Sequence, residues 1–137
     1  MGEFLLNNWA LVLVFLASGA MLVAPDILGF AGPAGELGTL DATRLMNQGA
    51  TLVLDVRDPQ EFAAGHLPRA RHIPLADLPN RVSEIDKYKE KPVLVTCAKG
   101  TRSSRAARLL RRAGFKSVFH LKGGLAAWQQ ASLPVEK

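Results

Sequence analysis

Two patterns of hydrophobic and polar positions divide this 137-residue chain. From Phe4 to Pro25 no side chain carries a charge, and between Trp9 and Ala24 only Ser18 and Gly19 interrupt an apolar run. Beyond Gly38 short apolar runs of strand length alternate with stripes of helical period, the signature of a parallel sheet covered by helices. Asp41 is placed to cap a helix that runs to Gln48 and stops at Gly49. Thr51-Leu52-Val53-Leu54 reads as a buried strand ending at Asp55, and Asp58-Pro59-Gln60-Glu61 as a capping box with proline in the first turn. Arg71-His72-Ile73 is a short strand, and the segment 75–85 carries one or two helical turns broken by Pro79. Val93 to Thr96 forms the next strand. Ala106, Leu109, Leu110 and Ala113 then recur at i, i+3, i+4 and i+7, a core-facing stripe stopped by Gly114. Val118 to Leu121 and a helix from Leu125 to Ala131 complete the pattern. The expected architecture is α/β, a mostly parallel central sheet flanked by helices on both faces.

The N-terminal stretch needs its own account. As a helix, 22 residues extend about 33 Å, close to the roughly 30 Å of a bilayer's hydrocarbon layer. Asn7, Asn8 and Trp9 suit the interface. A buried core helix has no slot in so small a domain. A signal peptide cleaved after Ser18-Gly19-Ala20 is the other rival, but Met1-Gly2-Glu3 lacks the cations of an n-region. The expectation is a single transmembrane anchor over 1–25, a glycine-punctuated linker over 26–36, and one domain over 37–137.

The chemistry centres on the single cysteine. Cys97 follows Pro92-Val93-Leu94-Val95-Thr96 and precedes a helical pattern, so a strand delivers its thiol to a short turn in front of a helix N-terminus. Unpaired amides and the helix dipole favour negative charge there, and the thiolate is the reactive form of cysteine. A buried structural cysteine is the alternative. Lys99 and Arg102 sit where a cation opposes the dipole, an arrangement explained by an anion bound between them. Gly100 permits a tight turn or close approach to a ligand. Ser103 and Ser104 offer hydroxyls at the helix start.

Charge and composition narrow the partners. All 17 Lys and Arg residues lie at or beyond Arg44, against 11 acidic residues after Glu3, a surplus of six cations. That balance suits small anions or anionic headgroups. Nucleic acid is not expected, because one tyrosine and no basic-aromatic interleaving are present. One cysteine excludes an internal disulfide and a cysteine-built metal site. His66, His72 and His120 lack ligand spacing, so neither metal nor other cofactor is expected. Arg105, Arg108 and Arg112 read as a solvated helix face.

The loop Cys97-Ala98-Lys99-Gly100-Thr101-Arg102-Ser103 resembles the active-site loop of single-domain rhodaneses, the thiosulfate and persulfide sulfurtransferases. The resemblance covers about a hundred residues. It includes Leu54-Asp55-Val56-Arg57 with Glu61-Phe62, Gly65-His66-Leu67, Ala70-Arg71-His72-Ile73-Pro74, Ala113-Gly114-Phe115, Val118 and Gly123-Gly124-Leu125-Ala126-Ala127-Trp128. The uncharged N-terminus resembles the membrane-anchored bacterial members. The resemblance implies a rhodanese-like fold and a Cys97 persulfide that carries sulfur from a small anionic donor to a thiol or protein-thiol acceptor. Ala98, Lys99, Gly100, Thr101, Arg102 and Ser103 would bind the substrate, while Asp55 and Arg57 brace the domain. The expected location is a bacterial inner membrane, single-pass, with the domain facing the cytoplasm, where reduced thiol acceptors are available.

Two other readings compete. A cysteine phosphatase or arsenate reductase has five residues between Cys and Arg, whereas four stand here, Ala98 to Thr101. A non-catalytic, membrane-tethered interaction module of the same fold commonly lacks the cysteine that this chain keeps.

Overall fold

The computed structural model describes residues 1–27 and 35–137. The chain divides into two compact units, Met1–Ala34 and Gly35–Lys137. In the first, helix α1 (Gly2–Asn7) is separated from α2 (Trp9–Ile27) by a turn at Asn8, whose side chain donates to Phe4 O at 2.9 Å. The expected continuous helix is thus divided by a turn at the asparagine expected at a membrane interface, although Asn8 N–H still donates to Phe4 O at 3.1 Å and Val12 N–H to Asn8 O at 3.0 Å. Among the described residues no helix is long and apolar enough to cross a membrane, so the expected transmembrane helix is not found there. Most of the expected linker, 28–34, lies outside the described residues.

The second unit is a five-stranded, wholly parallel sheet among the described residues. Its strands are β1 (Glu36–Leu37), β2 (Leu52–Asp55), β3 (Arg71–His72), β4 (Pro92–Thr96) and β5 (Ser117–Leu121), in the order β1-β5-β4-β2-β3. Strand β4 is central, aligned with β2 from Leu52↔Val93 to Asp55↔Thr96 and with β5 from Pro92↔Ser117 to Val95↔His120. Side chains alternate across a strand, and the two cores follow that parity. Leu52, Leu54, Val93 and Val95 pack on one face with Leu78, Ile85, Ala106 and Leu110. Val53 and Leu94 pack on the other with Ala42, Met46, Leu125 and Trp128. Cys97 lies two residues beyond Val95 and belongs to the first face. Strand parity thus directs its side chain toward α6 (Thr101–Arg112).

Helix α3 (Thr39–Met46) begins earlier than expected, with Gly38 as its cap and Asp41 already in the first turn. Pro79 helps to start α5 (Leu78–Arg81) rather than breaking it, because a proline in the first turn loses no hydrogen bond. A 3-10 segment, Val82–Tyr88, follows. Helix α4 (Pro59–Ala64) carries both bonds of its capping box, and α7 (Gly124–Gln130) closes the fold.

His120 on β5 is buried, and its Nδ1 has no hydrogen-bond partner among the described residues. Burial pushes its pKa down; the Glu36 carboxylate opposes this, and Arg111 adds to it. The folded chain therefore takes up this proton less readily than the unfolded chain. Stability from this site is complete above the ordinary histidine value of about 6.5 and is lost as pH falls through the lower folded value. Urea midpoints compared at about pH 7.5 and pH 5.5 should show a smaller acid loss in His120→Gln than in the natural chain. An equal loss in both would contradict this assignment.

Candidate active site

The site is built where β4 ends. Cys97 is 1% exposed and forms part of a recess of about 340 Å³, lined also by Glu61, Ala98, Lys99, Thr101 and Arg102. Gly100 N–H donates to Cys97 Sγ at 3.0 Å, and Ser103 Oγ lies 3.4 Å from the same sulfur. Gly100 caps α6 in the left-handed conformation at φ 104°, which glycine adopts without steric cost. Neither Ser103 nor Ser104 caps the helix through its side chain. Ser103 donates to Gly100 O at 3.0 Å and holds the turn closed. An amide directed at the sulfur and the N-terminus of a 12-residue helix both stabilise negative charge at this position.

The loop is gripped from behind. Leu125 N–H donates to Cys97 O at 2.7 Å and Ala126 N–H to Ala98 O at 3.1 Å. These bonds tie two loop carbonyls to the first turn of α7. The close approach requires Gly124, at φ +58°, because a Cβ there would collide with Cys97 O and with the Ala98 carbonyl. Gly124→Ala should therefore displace the nucleophile loop and cut kcat/KM for sulfur transfer about a hundredfold, the cost expected of an ångström-scale misplacement. Gly114→Ala is the control: its φ is +99° but nothing lies within 4 Å of the added methyl. Equal losses in the two variants would show that backbone strain alone accounts for the effect.

Arg102 and Glu61 form the outer wall. Arg102 Nη1 and Nη2 donate to Glu61 Oε2 and Oε1 at 2.9 and 3.1 Å, a bidentate pair across 41 positions of sequence. The Arg102 hydrogen bonds hold the Glu61 carboxyl below its usual range; burial opposes, and the Asp58 N–H and the charges of Arg102 and Arg57 assist. In turn Glu61 first, then the charges of Cys97 and Asp58, hold the Arg102 guanidinium more firmly protonated than usual. Lys99 is exposed and forms no ion pair among the described residues.

Asp55 and Arg57 do not line the recess. They form a buried pair in which Arg57 Nη2 donates to Asp55 Oδ2 at 2.8 Å and to Gly65 O at 2.6 Å. Arg57 Nε donates to both carboxylate oxygens, and the Arg57 amide to Oδ1 at 2.9 Å. Of the seven loop residues singled out from sequence, the structure puts Cys97, Ala98, Lys99, Thr101 and Arg102 on the recess, with Gly100 and Ser103 against the sulfur from behind. Sequence reasoning missed Glu61 as a wall residue, since the capping box already accounts for a glutamate there. It also missed the use of Gly123-Gly124, although a glycine pair opening a helix marks a close backbone approach.

The fold and this cysteine loop define a rhodanese-type protein, and comparison with known proteins agrees. Residues 39–131 match the rhodanese-like domain family. The uncharacterised protein YibN of Escherichia coli K12 is 33% identical over 120 residues, covering 85% of this chain and 84% of its own. A sulfurtransferase of Allochromatium vinosum is 37% identical over 92 residues, 67% of this chain and 84% of its own. The crystal structure of a rhodanese-related protein from Thermoplasma volcanium superposes with a TM-score of 0.67 at 28% identity, over 74% of this chain and 96% of that one. The chain belongs to the rhodanese-like family, and its activity is sulfurtransferase-like at the level of that family.

Proposed function

We propose that the chain moves sulfane sulfur through a persulfide on Cys97. The single observation that carries this is the sulfur in a solvent-connected recess with the Gly100 amide directed at it and a helix N-terminus behind it. In the first step the Cys97 thiolate attacks the outer sulfur of the donor. A new S–S bond forms, the donor's own S–S bond breaks, and its electron pair leaves with sulfite or an organic thiolate. In the second step an acceptor thiolate attacks the outer sulfur of the persulfide and restores Cys97. Charge only moves between sulfurs, so preorganised amides serve better than a general base. Lys99 would attract the anionic donor, and the loop from Ala98 to Ser103 would surround the transferred sulfur. The pairing of Arg102 with Glu61 favours this over phosphatase chemistry, which needs the loop arginine to close on an oxyanion.

The finer part of the proposal keeps the chain at a bacterial inner membrane through its N-terminal segment, with the domain on the cytoplasmic side. It is supported by large apolar side chains left exposed in that segment, among them Phe4, Leu6, Trp9, Leu11 and Phe15. A thiol that cycles through a persulfide also needs reduced acceptors. Sulfur transfer from thiosulfate or an alkyl persulfide to cyanide tests the chemistry. For location, the chain should resist alkaline carbonate extraction, and a membrane-impermeant maleimide should label Cys97 only in opened cells. Labelling in intact spheroplasts would place the domain outside.

A further inference from the structure

The recess is lined by one carboxylate, Glu61, and two cations, Lys99 and Arg102. Arg102 is the loop's guanidinium, the group best shaped to clamp an oxyanion in two places. Its two side-chain hydrogen bonds among the described residues instead go to Glu61, in a pair whose side chains are 31% and 38% exposed. A bidentate ion pair presents little net charge to a ligand. With the Cys97 thiolate formed, Lys99 offsets that one charge, and no cationic surplus remains among the residues lining the recess. A dianion entering here meets a carboxylate already on the wall and a guanidinium already engaged.

We propose that Glu61 is a specificity-determining residue: by occupying Arg102, it turns the site away from dianionic donors such as thiosulfate and toward singly charged organic persulfides. This rests on the sulfurtransferase reading above and names the donor class of the same site. The step stays balanced with either donor. Thiosulfate releases sulfite with the electron pair of its S–S bond, and an alkyl persulfide releases the alkyl thiolate, so no outside oxidant or reductant takes part. The thiosulfate route brings two negative charges toward Glu61 and the thiolate, whereas the persulfide route brings one.

The experiment uses the full chain and reads the rate of sulfur addition to Cys97 by quenched mass spectrometry. The donors are thiosulfate and 2-hydroxyethyl persulfide, tested separately. The natural chain should load faster from the alkyl persulfide. Glu61→Gln keeps a side-chain oxygen that can accept the capping-box Asp58 N–H, yet it removes the charge and loosens the bidentate hold on Arg102. It should raise the ratio of thiosulfate loading to alkyl persulfide loading about threefold or more, because the dianion feels the removed charge about twice as strongly as the monoanion. Glu61→Ala, which lacks the side chain altogether, should shift the donor ratio the same way even if it lowers both rates. A donor ratio unchanged in both variants, or a natural chain that prefers thiosulfate, overturns the inference while leaving persulfide chemistry intact. Failure of both donors to load Cys97 in any form would instead overturn the sulfurtransferase reading itself.

Discussion

Cys97→Ser is expected to lower sulfur transfer by more than about a thousandfold while leaving the fold in place. The loss follows from chemistry: the persulfide must form on this sulfur, and removing a nucleophile costs factors of this size or larger. A serine hydroxyl cannot hold a transferable sulfur, and the chain has one cysteine, so nothing else can relay it. The fold should survive because serine is slightly smaller than cysteine and can accept the Gly100 N–H that the sulfur accepts now. The cost of a hydroxyl at a position 1% exposed, in the apolar cluster that also holds Val95 and Ala106, is about 1 kcal/mol. Steady-state transfer to cyanide and a thermal melt on the same sample check both halves. Substantial turnover in a folded Cys97→Ser chain would remove the basis of the mechanism.

Arg57→Ala should have the largest effect on stability, about 3–5 kcal/mol, because it strands a buried carboxylate. Asp55 is fully buried and Arg57 is 4% exposed, and the guanidinium also satisfies Gly65 O. Alanine leaves both acceptors without that partner. For a domain of about 100 residues, the lower end of this range lowers the melting temperature by roughly 12 °C or more. The damage should reach the site, because Val56 N–H donates to Thr96 O at 3.1 Å, tying the end of β2 to the residue before the nucleophile. Arg57→Lys should recover little, since an ammonium cannot reproduce the forked contacts. Circular dichroism during thermal and urea denaturation gives the magnitude. A loss under about 1 kcal/mol would mean that the pair is solvent-compensated rather than structural.

Much of this architecture was legible in the sequence because its signals are local. The strand before Cys97 and the stripe Ala106, Leu109, Leu110, Ala113 fix where the thiol sits and which helix faces it. Two turns of sequence logic, a strand of period two and a helix of period 3.6, suffice for that. Elements that owe their form to distant partners were not legible. Strand β1 has two residues, too short to show any alternation, and exists because Glu36 and Leu37 pair with His120 and Leu121. The Glu61–Arg102 pair joins α4 to the cysteine loop, and at the level of sequence each member already has a sufficient local explanation, a helix cap and a loop cation. The grip of α7 on the loop is similar, since the need for Gly124 appears only when Cys97 O and the Ala98 carbonyl are seen beside it. In the N-terminal segment the uncharged stretch from Phe4 onward reads as one helix, whereas the structure ends α1 at Asn7 and begins α2 at Trp9, a division that hydropathy does not register.

The most direct measurement is intact-mass analysis of the folded chain after exposure to a sulfane-sulfur donor, with peptide mapping of the product. The account predicts one added sulfur, about 32 Da, located on Cys97 and removed by a thiol through exchange at the outer sulfur. A folded chain that gains no mass from either thiosulfate or an alkyl persulfide would contradict it, as would an added sulfur that persists in Cys97→Ser.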